Sequence, residues 1–148
     1  MAWQRLKLEI PDDYSPQERE DFGVLVADFI RERSSDGIGV RNGRNYRFPS
    51  YSESYVKSLA FRQAGKSKGR VNLRLSEDML TDLDVLSTKP GEVTVGFENG
   101  TESNEKAEGN ILGSYGADPS PRKARNFLGL TSRELQALVK KFERERSG

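Results

Sequence analysis

The chain contains neither histidine nor cysteine. Those absences exclude zinc centres built on imidazole or thiolate, histidine-ligated haem, and nucleophile pairs of the Ser–His or Cys–His type. Disulfides are excluded too, in keeping with folding in a reducing compartment. Carboxylates are plentiful, so Mg²⁺ or Ca²⁺ chemistry stays open on composition alone. Large apolar residues are scarce. Leu, Ile, Val and Phe make up about 23% of the 148 residues, just above the roughly 20% level below which disorder sets in. The expectation is a modest core with long solvated or partner-covered segments. No apolar run approaches the roughly 20 residues of a membrane span, and Met1–Arg5 opens no signal-peptide core.

Charge is what the chain has in quantity, at 32% of residues. The net value of +1 hides four blocks: −4 over residues 1–37, +8 over 38–75, −8 over 76–118 and +5 over 119–148. The blocks either neutralise one another within one fold or leave one positive and one negative face. A two-faced surface can pair head-to-tail with its own copy or turn one side to a polyanion.

The patterning predicts a single α+β domain over 1–148. Alternation from Leu6 to Ile10 predicts a short strand. Ser15-Pro16-Gln17-Glu18 reads as a capping box with proline at the first helical position. It opens a helix to about Arg33 with Phe22, Leu25, Val26, Phe29 and Ile30 on one stripe. The Asn42-Gly43 pair is a type I′ turn signal, so residues beyond Gly37 fit a small hairpin as well as an extended loop. The region 38–70 as a whole is expected to be a long basic loop, with one or two helical turns near 51–57 and a mobile stretch at 62–70. Val71–Leu75 alternates as a strand. Ser76-Glu77-Asp78 opens a short helix through Leu83, and Pro90-Gly91 joins two strands as a type II turn. Residues 101–115 predict a weak, mostly solvated helix, 117–121 a loop. Thr131-Ser132-Arg133-Glu134 is a second capping box, stapled by Leu130 and Leu135, for a helix over about 132–146. The expected architecture is a small, mainly antiparallel sheet packed by a long N-terminal helix and a C-terminal helix.

Several motifs tempt and fall away. Ala60–Ser67 nearly spells a P-loop, but Ala60 replaces the first glycine, and a strand pattern follows where an anion-binding helix is required. Ser54-Tyr55-Val56-Lys57 matches Ser-x-x-Lys without its companion motifs. Glu77, Asp78, Asp82 and Asp84 lack EF-hand spacing and fit a solvated helix start. Asn99-Gly100-Thr101 reads as a turn rather than a glycosylation site. No enzyme activity and no cofactor are expected. The basic run Arg41, Arg44, Arg47, Lys57, Arg62, Lys66, Lys68, Arg70 and Arg74, interleaved with Tyr46, Tyr51 and Tyr55, suits phosphate-backbone contact without base reading. It suits equally the acidic block of a neighbouring chain.

The ordered string carries more than any single motif: Phe48-Pro49-x-Tyr51-Ser52-x-x-Tyr55, Val71-Asn72-Leu73-x-Leu75-Ser76-x-Asp78-Met79-Leu80-x-Asp82-Leu83, Val93–Phe97, Lys106-Ala107, and Arg125-Asn126-Phe127-Leu128-Gly129-Leu130 before an amphipathic helix. It resembles the neck and tail-completion proteins of tailed bacteriophages, over roughly residues 46–142. Asn72–Leu83 and Arg125–Leu130 are its most specific parts. The family often has Gly where Glu77 stands and Pro where Asn126 stands. The resemblance implies a structural virion protein, made in the host cytoplasm, with a small α+β fold. Such proteins form a homo-oligomeric ring, six- or twelvefold, at the head–tail junction. Its partners would be portal or adaptor and tail terminator or tail tube proteins, with genomic DNA passing through the lumen and no membrane contact. The motif residues Arg125, Phe127, Leu128, Gly129 and Leu130 would be family features. The basic run and the acidic Glu77, Asp78, Asp82 and Asp84 would meet between subunits. The alternative is a small, non-sequence-specific nucleic-acid-binding module using segment 41–74.

Overall fold

The computed structural model describes residues 4–48, 77–98, 100–112 and 125–147. The element order is β1 (Arg5–Glu9), α1 (Pro16–Ser35), β2 (Ile38–Arg41), β3 (Arg44–Arg47), α2 (Glu77–Thr81), β4 (Asp84–Lys89), β5 (Glu92–Gly96), α3 (Glu102–Leu112) and α4 (Ser132–Ser147). The fold is α+β. The expected strand at 71–75, the helical turns at 51–57, the stretch 62–70 and the loop at 117–121 lie outside the described residues.

β1, β5 and β4 form an antiparallel sheet with β5 in the centre. In register, Leu6 meets Val95 and Leu8 meets Val93, while Val85 meets Val95 from the other side. The two-residue period sends these to one face, where α1 packs across β4 and β5. Gly91 at the β4–β5 turn has φ +81, the positive value a type II turn requires there. A register shift between Val85 and Ser87 bulges β4 at the sheet edge.

α1 starts at the predicted cap. The Glu18 N–H donates to Ser15 Oγ at 3.1 Å, and Glu18 Oε1 accepts from the Ser15 N–H at 2.8 Å. Phe22, Val26 and Ile30 are fully buried, with Leu25 and Phe29 partly buried beside them. The helix runs past Arg33 to Ser35 before Gly37 ends it. α4 starts at its own box: the Glu134 N–H donates to Thr131 Oγ1 at 3.0 Å, and Glu134 Oε1 accepts from the Thr131 N–H at 2.8 Å. Phe142 of α4 meets Tyr14 and Phe22 at ring-centroid distances of 5.3 and 5.5 Å. This aromatic trio joins α4 to the start of α1.

Residues 38–47 form a hairpin, β2–β3, rather than the opening of an extended loop. Asn42 (φ 53) and Gly43 (φ 75) both take the positive φ of a type I′ turn, whose twist matches that of the strands. α3 also corrects expectation. It spans Glu102–Leu112, and Asn104 and Ala107 are fully buried, with Ser103 and Asn110 nearly so. Its inward face is polar but satisfied: Asn104 Oδ1 accepts from the Gln4 N–H at 2.8 Å and Asn110 Nδ2 donates to the Lys106 carbonyl at 2.9 Å, while the Asn110 main-chain carbonyl accepts from the Arg125 N–H at 2.6 Å.

Candidate functional site

The hairpin carries three predicted arginines, Arg41 and Arg44 on one face and Arg47 on the other. Arg41 and Arg44 face each other beside the turn, and Arg47 lies opposite Ile38. All three are exposed, and none pairs with a carboxylate among the described residues. The Arg41 guanidinium lies 4.9 Å from the Tyr46 ring centroid, and Tyr46 Oη accepts from the Asn126 N–H at 2.9 Å. Tyr46 is thereby used by the fold. Lys57, Arg62, Lys66, Lys68, Arg70 and Arg74, with Tyr51 and Tyr55, lie outside the described residues.

The acidic residues gather at another corner. Glu77 and Asp78 open the five-residue α2. Asp82, between α2 and β4, and Asp84, the first residue of β4, are exposed. Asp82 Oδ2 accepts from Ser103 Oγ at 2.5 Å, which ties this link to the start of α3. Asp84 pairs with Gly96 in register, two residues before exposed Glu98, whose main-chain carbonyl accepts from Thr101 Oγ1 at 2.8 Å ahead of α3. Asp82, Asp84 and Glu98 join no ion pair among the described residues; nearby Glu102 pairs with Lys106 at 3.2 Å. Among the described residues no group of three or more carboxylates is arranged to hold a metal ion.

The Arg125–Leu130 segment lies inside the molecule. Arg125, Phe127, Leu128 and Gly129 are buried and Leu130 is half-buried. Phe127 meets Phe97 edge-on at 6.1 Å. The Asn126 carbonyl accepts from the Val40 N–H at 2.9 Å, so the segment is laced to β2. These residues connect α3, the hairpin and α4, and only Asn126 and Leu130 are partly exposed.

Sequence reasoning missed a reciprocal clasp between α1 and α4. Glu134, of the second capping box, accepts from Arg33 Nη1 at 2.8 Å and from Asn45 Nδ2 at 3.1 Å. Arg33 also donates through Nη2 to the Phe127 carbonyl at 2.7 Å. Their side chains are 6% and 13% exposed. Burial pushes the Arg33 guanidinium down from its ordinary value, and the Glu134 charge opposes that shift. At the other end Glu18, of the first capping box, pairs with Arg146 of α4 at 2.5 Å. The Ser15 N–H, joined by Arg146, holds the Glu18 carboxyl below the usual range. Each helix thus lends an arginine to the other's cap. The available signal was two cap glutamates on helices whose far ends are basic.

The outer face of the sheet holds a depression of about 390 Å³, floored by Thr94 and rimmed by Arg5, Lys7, Lys89 and Glu92. Lys89 lies 3.8 Å from Glu92, and Glu9 faces Glu92 in register, so this face is close to charge balance. No helix of the described residues is long and apolar enough to cross a membrane. No protein-family model matches the chain, and neither a curated protein nor a solved structure is significantly similar to it.

Proposed function

We propose that this protein is a structural virion component, a neck or tail-completion ring joining a phage connector to its tail and leaving a channel for DNA. The reading starts from the ordered motif string. One observation carries it: Arg125–Leu130, the most specific described part of that string, is the connector about which the α+β domain closes, with Phe127 fully buried. A motif buried inside the fold, on a chain without histidine or cysteine, fits a protein whose work is to hold a joint. Exposed charge of both signs, unpaired among the described residues, fits assembly from copies.

The second reading, a nucleic-acid-binding module, draws on Arg41, Arg44 and Arg47. Tyr46 adds little to it, because its hydroxyl is bound to Asn126 and its ring is half-buried. Sedimentation velocity and negative-stain microscopy of the purified chain separate the two. Closed rings of six or twelve copies are expected. A monomer at every concentration, shifting onto duplex DNA in a salt-dependent way, would sink the first reading and favour the second.

A further inference from the structure

We infer that the β2–β3 hairpin is an arm that docks on the acidic corner formed by Asp82, Asp84 and Glu98 of a second copy of this chain. The inference rests on the ring reading and names its subunit contact.

The arm is preorganised. Its tip is a two-residue turn, and around Gly43 a side-chain carbon would meet nothing within 4 Å. It is tied down at three points along its length: at the base Phe48 N–H to the Gly37 carbonyl at 2.8 Å, and next to the turn-closing pair Val40 N–H to the Asn126 carbonyl at 2.9 Å and Asn45 Nδ2 to Glu134. A rigid arm loses little freedom on docking, so more of the contact energy appears as affinity. Its three arginines carry planar, weakly hydrated cations of the kind that settle in protein interfaces. They find no carboxylate among the described residues, while Asp82, Asp84 and Glu98 find no cation there. The charges are complementary and form no ion pair within the described part of one chain. Two different patches of one chain meeting on successive copies make a head-to-tail contact, which closes into a ring when the rotation allows. A polyanion fits this surface less well, because the arm offers no free aromatic ring and the same molecule carries an exposed acidic corner.

The lack of native cysteine makes the test direct. Full-length Arg44→Cys and Asp84→Cys chains are mixed and treated with a short bis-maleimide. The mixture should give a covalent dimer about tenfold more efficiently than either chain mixed with a Glu20→Cys control, a ratio worth about 1.4 kcal/mol. The yield should collapse near 1 M salt, where the screening length falls to about 3 Å. An Arg44→Glu, Arg47→Glu chain should lose assembly and regain it when mixed with an Asp84→Lys chain. Rings that form without the Arg44–Asp84 cross-link would overturn the docking and leave the ring reading standing. The cross-link without any ring would keep the docking and overturn the ring. Loss of duplex DNA binding in the Arg44→Glu, Arg47→Glu chain, with assembly unchanged, would overturn the docking in favour of nucleic acid.

Discussion

At the residue scale the most consequential group is Glu134. It accepts from Arg33, from Asn45 and from the Thr131 amide. Removing its charge leaves the Arg33 guanidinium buried without its counter-ion, and breaking a buried pair from one side costs several kcal/mol. Glu134→Gln should therefore lower stability by about 3 kcal/mol in denaturant titration; a loss under about 1 kcal/mol would mean the pair is effectively solvated. Tyr14 is a second case. It is 2% exposed, and its hydroxyl donates to Glu143 Oε1 at 3.4 Å. Burial, reinforced by the Glu143 charge and opposed by Arg146, pushes its phenol up to about 12. The unfolded chain then loses this proton near pH 10 while the folded chain keeps it. Stability contributed by Tyr14 is full below pH 10 and is lost as pH rises from about 10 to about 12. Tyr14→Phe should flatten that part of the pH–stability curve, read against the parent chain so that lysine titration cancels.

At the scale of elements, the hairpin and α4 are positioned by short-range rules and held by long-range contacts. Gly39 sits where the Asn126 backbone and the Phe48 ring cross β2, and a side-chain carbon there would strike both. Backbone cannot yield as a flexible side chain can, so Gly39→Ala should cost about 1–3 kcal/mol by overpacking. It should also loosen the arm, seen as faster amide exchange at Val40, whose N–H bonds Asn126. The α4 cap makes a milder test. Thr131→Ala removes the acceptor for the Glu134 N–H and should cost about 1 kcal/mol. Losing much more than that would show that Glu134 moves with its cap and takes the clasp with it.

At the scale of the whole molecule, little apolar substance has to hold together the two small sheets and four helices of the described residues. Within the described residues the core is continuous, running from Leu8 and Ile10 through α1 to Phe97, Phe127 and Leu138. Around it the clasp and the two capping boxes spend arginine and glutamate on internal joints, while the hairpin arginines and the acidic corner stay exposed. If copies assemble, the folded state gains by mass action. The unfolding midpoint should then rise with protein concentration at low salt and become independent of it at high salt. A midpoint independent of concentration under both conditions would count against assembly.

The sequence by itself determined the local decisions, because those rest on neighbours a few positions apart. Both capping boxes, the α1 stripe and the Asn42-Gly43 and Pro90-Gly91 turn signals were legible for that reason. What α3 buries was not legible. Asn104 looks like a surface residue until Gln4, distant in the chain, arrives to satisfy it. Nor was the part played by Arg125–Leu130, a string whose composition does not distinguish a surface motif from a core connector. Only the tertiary structure decided that Arg33 and Arg146 serve the caps of each other's helices while Arg41, Arg44 and Arg47 remain exposed. The physical reason is that an arginine's role depends on which carboxylate the fold brings within about 3 Å, and that distance exists only after long-range packing has placed the two chain segments together.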